Sequence, residues 1–229
     1  MPSPLRIISS MATRQLLADL VQQFEQQSQQ PVTVESVGGV DAAKRVQAGE
    51  AFDVVILASN AIEQLIQAGK VLAGSRTDLV KSGVAVAVRS GAPRPDIGSE
   101  AALRQAVLTA GSLSYSTGPS GVALVKLFER WGIAEQIRDR IVQAPPGVPV
   151  GSLVAKGEVE LGFQQLSELI HLQGIDVVGP LPDEVQIITT FSAGIAATAT
   201  QPGAVRALLD FLVSPAAEAA KRGNGMEPA

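Results

Sequence analysis

The feature that most constrains this chain is an alternation. Short runs rich in β-branched residues are followed, repeatedly, by longer runs whose apolar residues recur at helical spacing. "LRIISS" (5–10) reads as a strand, and the segment after it sets Leu16, Leu17, Leu20, Val21 and Phe24 on one helical face. "PVTVESV" (31–37) reads as a second strand opened by Pro31, and "DAAKRVQAG" as a short helix that stops at Gly49. "FDVVILAS" (52–59) is a buried strand, and "NAIEQLIQAGKV" a helix with Asn60 as its cap. "GVAVAVRSG" (83–91) is a strand that runs into the Pro-containing linker "APRPDIG".

A second set then begins. "EAALRQAVLTA" (100–110) reads as a helix, "SLSYS" as a strand, and "VALVKLFERWG" as a helix ended by Gly132. "QIRDRIVQAP" gives a helix and a strand, "VPVGSLVAKGE" a helix, and "VELGFQQ" and "IDVVGPLP" two strands. "VQIITTFSAGIAATA" reads as one long strand, and "GAVRALLDFLVSPAAEAAKRG" as the closing helix. Repeated β-α-β units imply an open parallel sheet, and two sets of them imply two such domains. The fold class expected is therefore α/β.

Composition narrows the function. Hydrophobic residues make up 46% of the 229, but aromatics only 3%, so the core must be built of Val, Ile, Leu and Ala, the usual filling between helices and parallel strands. The net charge of −4 comes with no basic run of the kind that binds nucleic acid. With no cysteine and one histidine, His171, a thiolate metal site or a Ser-His-Asp triad is not expected. "IITTFSAGIAATATQPGAV" is uncharged but holds Pro202 and several threonines, and reads as strand plus turn rather than a membrane span. Met1 to Pro4 run straight into "LRIIS" with no signal-peptide pattern, which fits either a cytosolic protein or a mature chain.

In open α/β sheets, ligands bind where strands end and helices begin, because helix starts present unpaired N–H groups and a partial positive charge. Three strand-to-helix junctions here are rich in glycine and small hydroxyl residues. They are "ISSMATR" with Ser9 and Ser10, "SVGGVDAAK" with Gly38, Gly39 and Val40, and "YSTGPSGV" with Tyr115, Ser116 and Ser120. Taken singly, each fits a helix cap or a tight turn. Three at matching places point to an anion. None has the spacing of a P-loop or of a dinucleotide fingerprint. Arg14 and Lys44, each placed about one turn into its helix, could reach back to a carboxylate, arginine in bidentate fashion. Arg76 is a further candidate with less support. Trp131 follows an apolar face and reads as core, Tyr115 is expected to face the site, and His171 to cap a helix or lie on the surface.

The stretches "RIISSMATRQLLADLVQQFEQQSQQPVTVESVGG", "AGEAFDVVILAS", "ELGFQQLSEL" and "ALLDFLVSPAAEAAK", in this order, resemble the periplasmic molybdate-binding proteins and their relatives among ABC-transporter solute-binding proteins. The resemblance covers nearly the whole chain. It implies the type II periplasmic-binding fold: two Rossmann-like lobes, joined by strand crossovers, that trap a ligand in the cleft between them. Lobe one is expected at 1–83 plus 196–229, and lobe two at 84–195. The family's ligand-contacting places fall on Ser10, on Gly39 or Val40, on Ser120, near Val148 and on Gln165. The resemblance also implies a periplasmic monomer that works with an ABC-transporter permease and needs no cofactor or metal.

The pattern departs from that of molybdate binders. The second junction offers "VGGVD" where serines are usual, Gln165 stands where a tyrosine is usual, and Arg14, Asp41 and Lys44 cluster where neutral donors are usual. The expected ligand is therefore an organic polycarboxylate that the protein binds without altering. Two alternatives stay open. Some members of the wider family are enzymes, aconitate isomerase among them, and an allylic proton shift would need cations for the carboxylates and a base, for which Asp41, Tyr115 or Lys44 are candidates. The other is plain molybdate- or tungstate-type oxyanion binding.

Overall fold

The computed structural model describes residues 2–145 and 147–229. In chain order the strands are β1 (Leu5–Ser10), β2 (Val32–Val37), β3 (Val54–Ala58), β4 (Thr77–Arg89), β5 (Leu113–Tyr115), β6 (Leu161–Gln165), β7 (Ile175–Pro180), β8 (Ile188–Ile195) and β9 (Glu227–Pro228). The helices are α1 (Arg14–Ser28), α2 (Gly39–Gln47), α3 (Ser59–Gln67), α4 (Glu100–Thr109), α5 (Pro119–Arg130), α6 (Ala134–Ile137), α7 (Val150–Lys156), α8 (Leu166–Leu169), α9 (Pro202–Val213) and α10 (Glu218–Gly223). The chain divides into two compact units. The first runs to Lys81 and resumes at Thr190–Ala229; the second is Ser82–Thr189.

In the first unit, β1 lies between β2 and β3, parallel to both, and β8 pairs with the far side of β3. Every strand residue of β3 is buried, and the two faces serve two different cores. Leu5 and Ile7 of β1 and Val54 and Ile56 of β3 pack under α1 and α9. Ile8, Val55 and Leu57 pack on the other side with Ala42 and Val46 of α2 and Ile62 and Leu65 of α3. Because successive strand residues point to opposite faces, a run apolar at every position requires helices on both sides. Helix α1 answers with Leu16, Leu17, Leu20, Val21 and Phe24, all buried, each contributing ~1.5–3 kcal/mol relative to exposure. Asp53, 7% exposed, ties the unit together: its carboxylate accepts from the Arg6 N–H at 2.9 Å and the Thr200 N–H at 3.2 Å.

The second unit repeats this logic. Strand β6 lies between β5, to which it is parallel, and β4, to which it is antiparallel. Strand β7 pairs with β4 as well. Val84, Val86 and Val88 face the core with α4 and α5, while Ala85 and Ala87 face α7 and α8. Gly162 permits the close approach of α7: a Cβ there would lie 2.5 Å from Val154 Cγ2.

Several expectations need correction. The sheets are mixed, not parallel: β8 runs against β3, and both β6 and β7 run against β4. Strand β8 reaches β3 from the second unit and not through a crossover helix of the first, so nothing obliges it to run parallel. Strand β4 begins at Thr77 rather than 83. The second change of unit comes at Thr189, not at 195, because Phe191–Ile195 are hydrogen-bonded partners of β3. "QIRDRIVQAP" yields α6, a 3-10 turn and only an isolated bridge, Leu113 to Ile141. The closing helix is two helices, since Pro215 has no N–H to continue α9. Ala58, not Asn60, is the cap residue of α3, and Asn60 lies within its first turn. Trp131 is only partly buried, and its indole N–H donates to Glu100 at 2.6 Å.

Candidate functional site

The first unit presents the ends of β1 and β2. Ser10 closes β1 and caps a 3-10 turn, Met11–Thr13, its hydroxyl accepting from the Ala12 N–H at 3.3 Å. Gly39 opens α2 directly beside it: a Cβ on Gly39 would lie 3.7 Å from Ser10 Oγ. These two junctions are thus brought together. Gly38 is the cap residue of α2, with the Asp41 carboxylate over it, and Val40 is exposed. Ser9 differs. It is fully buried, and its hydroxyl bonds to that of Ser36 at 2.7 Å, so its role is to pin β1 to β2.

The cations of this unit fall into two groups. Arg45 is clasped by Glu35 and Glu50, and Arg76 by Asp78 at 2.9 Å. Arg14 and Lys44 are exposed, and neither forms an ion pair with a described residue. Arg14 is the first residue of α1, immediately after the Ser10 turn. Lys44 belongs to the last turn of α2 rather than the first, ~7.5 Å along the axis from Gly39, so it must fold back to reach the helix start.

In the second unit, β5 ends at Tyr115 and the chain turns through Ser116 and Thr117 into α5. Gly118 is the cap and Pro119 the first helical residue, which leaves the N–H groups of Ser120 and Gly121 without an intrahelical acceptor. Ser116 and Ser120 hydroxyls approach to 3.4 Å. Gly121 is obligatory here: a Cβ would sit 1.7 Å from the Ser116 carbonyl oxygen. Tyr115, expected to face the site, is largely buried. It is 8% exposed, and its ring packs on Phe128 at 6.3 Å between centroids, in the middle of an apolar core.

Strand β6 ends one strand away. The parallel register Tyr115↔Phe163 brings the carboxyl ends of β5 and β6 to the same edge, so Ser116 and Gln164 are the next residues along that edge. Gln165 is buried, its amide donating to Thr189 Oγ1 at 2.9 Å while its own oxygen finds no partner among the described residues. Gln164 points to the opposite face. Its oxygen accepts from the Gly151 N–H at 3.3 Å, and its amide donates to Glu168 Oε2 at 2.7 Å. Val148 lies just before Pro149, the cap of α7, and is exposed. His171 is exposed in the turn after α8.

Glu168 was not singled out from the sequence. It is partly exposed, and desolvation pushes its pKa up to about 7, the Gln164 amide offsetting this in part. One charged residue in "QQLSEL" carries no mark of burial in the sequence; only the contact from Gln164 reveals it. Among the described residues, no group of three or more His, Asp or Glu side chains could hold a metal ion.

The family described as bacterial extracellular solute-binding protein matches residues 5–227. An aconitate isomerase from a Pseudomonas species is 41% identical over 185 residues, which is 80% of this chain and 70% of that protein. The periplasmic molybdate-binding protein of Azotobacter vinelandii has a similar structure, with a TM-score of 0.81 over 97% of this chain and 98% of its own, at 20% identity. The sulfate-binding protein SubI from Mycobacterium tuberculosis H37Rv gives 0.79 over 99% and 87%, at 16% identity. At such identities the two structures speak for the fold, which is that of the type II periplasmic binding proteins.

Proposed function

The chain belongs to the family of bacterial extracellular solute-binding proteins, and from that membership we propose that it binds an unsaturated tricarboxylate of the aconitate type and shifts its double bond. One observation carries this reading: identity to an aconitate isomerase is 41%, about twice the 20% to the molybdate binder, over most of the chain. The departures from an oxyanion site agree with it. A tetrahedral oxyanion needs neutral donors, whereas Arg14 and Lys44 are uncommitted cations suited to carboxylates.

The reaction is an allylic proton shift. A C–H bond at the methylene carbon breaks, and the electron pair spreads through the double bond onto a neighbouring carboxylate. A proton then adds at the far carbon, and the double bond moves by one position. No electron is gained or lost overall. Each unit by itself offers groups that suit a carboxylate and the charge that develops on it. In the first unit these are Arg14, the Ser10 hydroxyl and the backbone at Gly39. In the second they are the Ser116 and Ser120 hydroxyls with the free N–H groups of α5.

The second reading is a receptor that binds a carboxylate unchanged and delivers it to a permease; the family's description as extracellular solute-binding favours it and places the protein outside the cytoplasm. Proton NMR of trans-aconitate incubated with the protein separates the two. Appearance of cis-aconitate supports the isomerase, with Arg14→Ala expected to abolish turnover while the melting temperature holds. An unaltered ligand that raises the melting temperature supports the receptor. An unaltered ligand and an unmoved melting temperature would refute both.

A further inference from the structure

An allylic shift needs a group that removes a proton from one carbon and restores it to another, and of the three residues suggested by the sequence two are badly placed to supply it, while the third, Asp41, stands over Gly38 in the first unit. Tyr115 is held in the apolar core by Phe128. Lys44 stands in the last turn of α2. The second unit, however, holds a carboxyl that its own packing does not explain.

Glu168 is partly exposed, and among the described residues no cation is placed against it. Among the described residues its one hydrogen bond is from the Gln164 amide to Oε2, at 2.7 Å, and Gln164 is itself fixed through the Gly151 N–H. The other oxygen, Oε1, takes no hydrogen bond from a described residue, and it is not among the side-chain atoms sealed from solvent without a partner. The carboxyl is therefore oriented at one oxygen and open at the other. A partly desolvated carboxyl without a countercharge is unfavourable for folding, and such groups concentrate where proton chemistry is done.

Its position fits that use. Glu168 follows the carboxyl end of β6, and Gln164, which holds it, is the neighbour of Ser116 along the shared edge of β5 and β6. Strands in such a pair lie ~4.8 Å apart. Ser116, whose hydroxyl approaches that of Ser120, thus lies beside Gln164, the residue that holds the carboxyl, within one and the same unit.

We propose that Glu168 is the group that takes the proton from one carbon of the allylic system and returns it to the other, while the Ser116–Gly121 junction holds a neighbouring carboxylate. This rests on the isomerase reading. In the forward step, the C–H bond breaks as the proton passes to Oε1, and the electron pair enters the allylic system. In the second step, the Glu168 O–H gives that proton to the far carbon, and the carboxylate is regenerated. Gln164 is a positioning residue, fixing which oxygen is free.

The titration supports the assignment: a pKa of about 7 leaves comparable amounts of base and acid near neutral pH, which a two-way proton carrier needs. The charged groups on the packed elements do not set it. Lys156 sits at the far end of α7 and pairs with Glu158, Asp176 of β7 bonds Ser90 and Gly91, and His171 follows α8; none contributes to the shift.

The test compares wild type, Glu168→Gln and Glu168→Asp on trans-aconitate, by NMR, from pH 5 to 9. The expected result is a ~10²–10⁴-fold loss of kcat in Glu168→Gln, with KM changed little and the fold intact. Wild-type kcat should rise through a limb near pH 7 that Glu168→Gln lacks. Glu168→Asp should keep partial activity with that limb displaced. If wild type is active and Glu168→Gln keeps its kcat and its limb, Glu168 is not the proton carrier, although the isomerase reading stands. If wild type neither converts trans-aconitate nor exchanges its methylene protons with deuterated water, the isomerase reading fails and this role fails with it.

Discussion

Replacing Glu168 by Gln should stabilise the second unit, and by an amount that depends on pH in a calculable way. The folded protein raises this carboxyl from 4.5 to about 7. Because the folded value is the higher one, the unfolded chain releases the proton first as pH rises. Wild-type stability therefore falls between about pH 4.5 and about pH 7, and nothing is lost below that window, where both states are protonated. At ~1.4 kcal/mol per pH unit the full loss is ~3 kcal/mol, reached above about pH 8, with ~2 kcal/mol already present at pH 6. Glutamine has the shape of the protonated acid and can still meet the Gln164 amide through its oxygen, so its curve lacks this fall. The difference between the two proteins should run from near zero at pH 4 to ~3 kcal/mol at pH 8. Trp131, the one tryptophan, lies in the second unit, so urea unfolding followed by its fluorescence reports the relevant transition. Subtracting the two proteins at each pH removes the contribution of all other titrating groups. Parallel curves from pH 5 to 8 would show that the Glu168 carboxyl is well solvated and that the account of it given above is mistaken.

Two further perturbations probe one unit each. Gly121→Ala drives a Cβ into the Ser116 carbonyl, so the turn or the helix start must move; a loss of ~2 kcal/mol or more in the second unit is expected, with ligand affinity lost alongside it, read by Trp131 fluorescence and by calorimetry. An unchanged melting curve for this variant would contradict the packing described. Asp53→Ala leaves the Arg6 and Thr200 N–H groups without their acceptor, and should destabilise the first unit by ~2–4 kcal/mol in circular-dichroism melts, whereas Asp53→Asn, which keeps one acceptor oxygen, should lose less.

The alternation of strand and helix was legible because it follows from local physics. Strands apolar at every position, such as Val54–Ala58, announce helices on both faces, and α1 shows its buried stripe residue by residue. Strand direction was not legible. Nothing within Ile188–Ile195 records that it pairs with β3 in the opposite sense, since direction is set by where the chain has come from. For the same reason the sequence put the second change of unit six residues too late. At the junctions, Ser10 with Gly39 and Ser116 with Ser120 do come together, as glycines and small hydroxyls at strand ends suggest. Ser9 and Tyr115 prove buried, since a strand's final residues alternate faces and the sequence does not say which face is open. Glu168 was invisible because its hydrogen bond from Gln164, which is itself fixed by Gly151 of α7, is a contact that spacing does not encode.

The first unit is interrupted, and this bears on how the protein is made. Residues 82–189 form a continuous stretch, whereas β3 must wait for Phe191–Ile195, more than 130 residues downstream, before its outer edge is covered. During synthesis the second unit can close on its own while the first still shows a bare, wholly apolar strand to its surroundings. A nascent chain stalled between Ala58 and Phe191 is therefore sticky at one identifiable place, Val54–Ala58, and that is where a holding chaperone would find its grip.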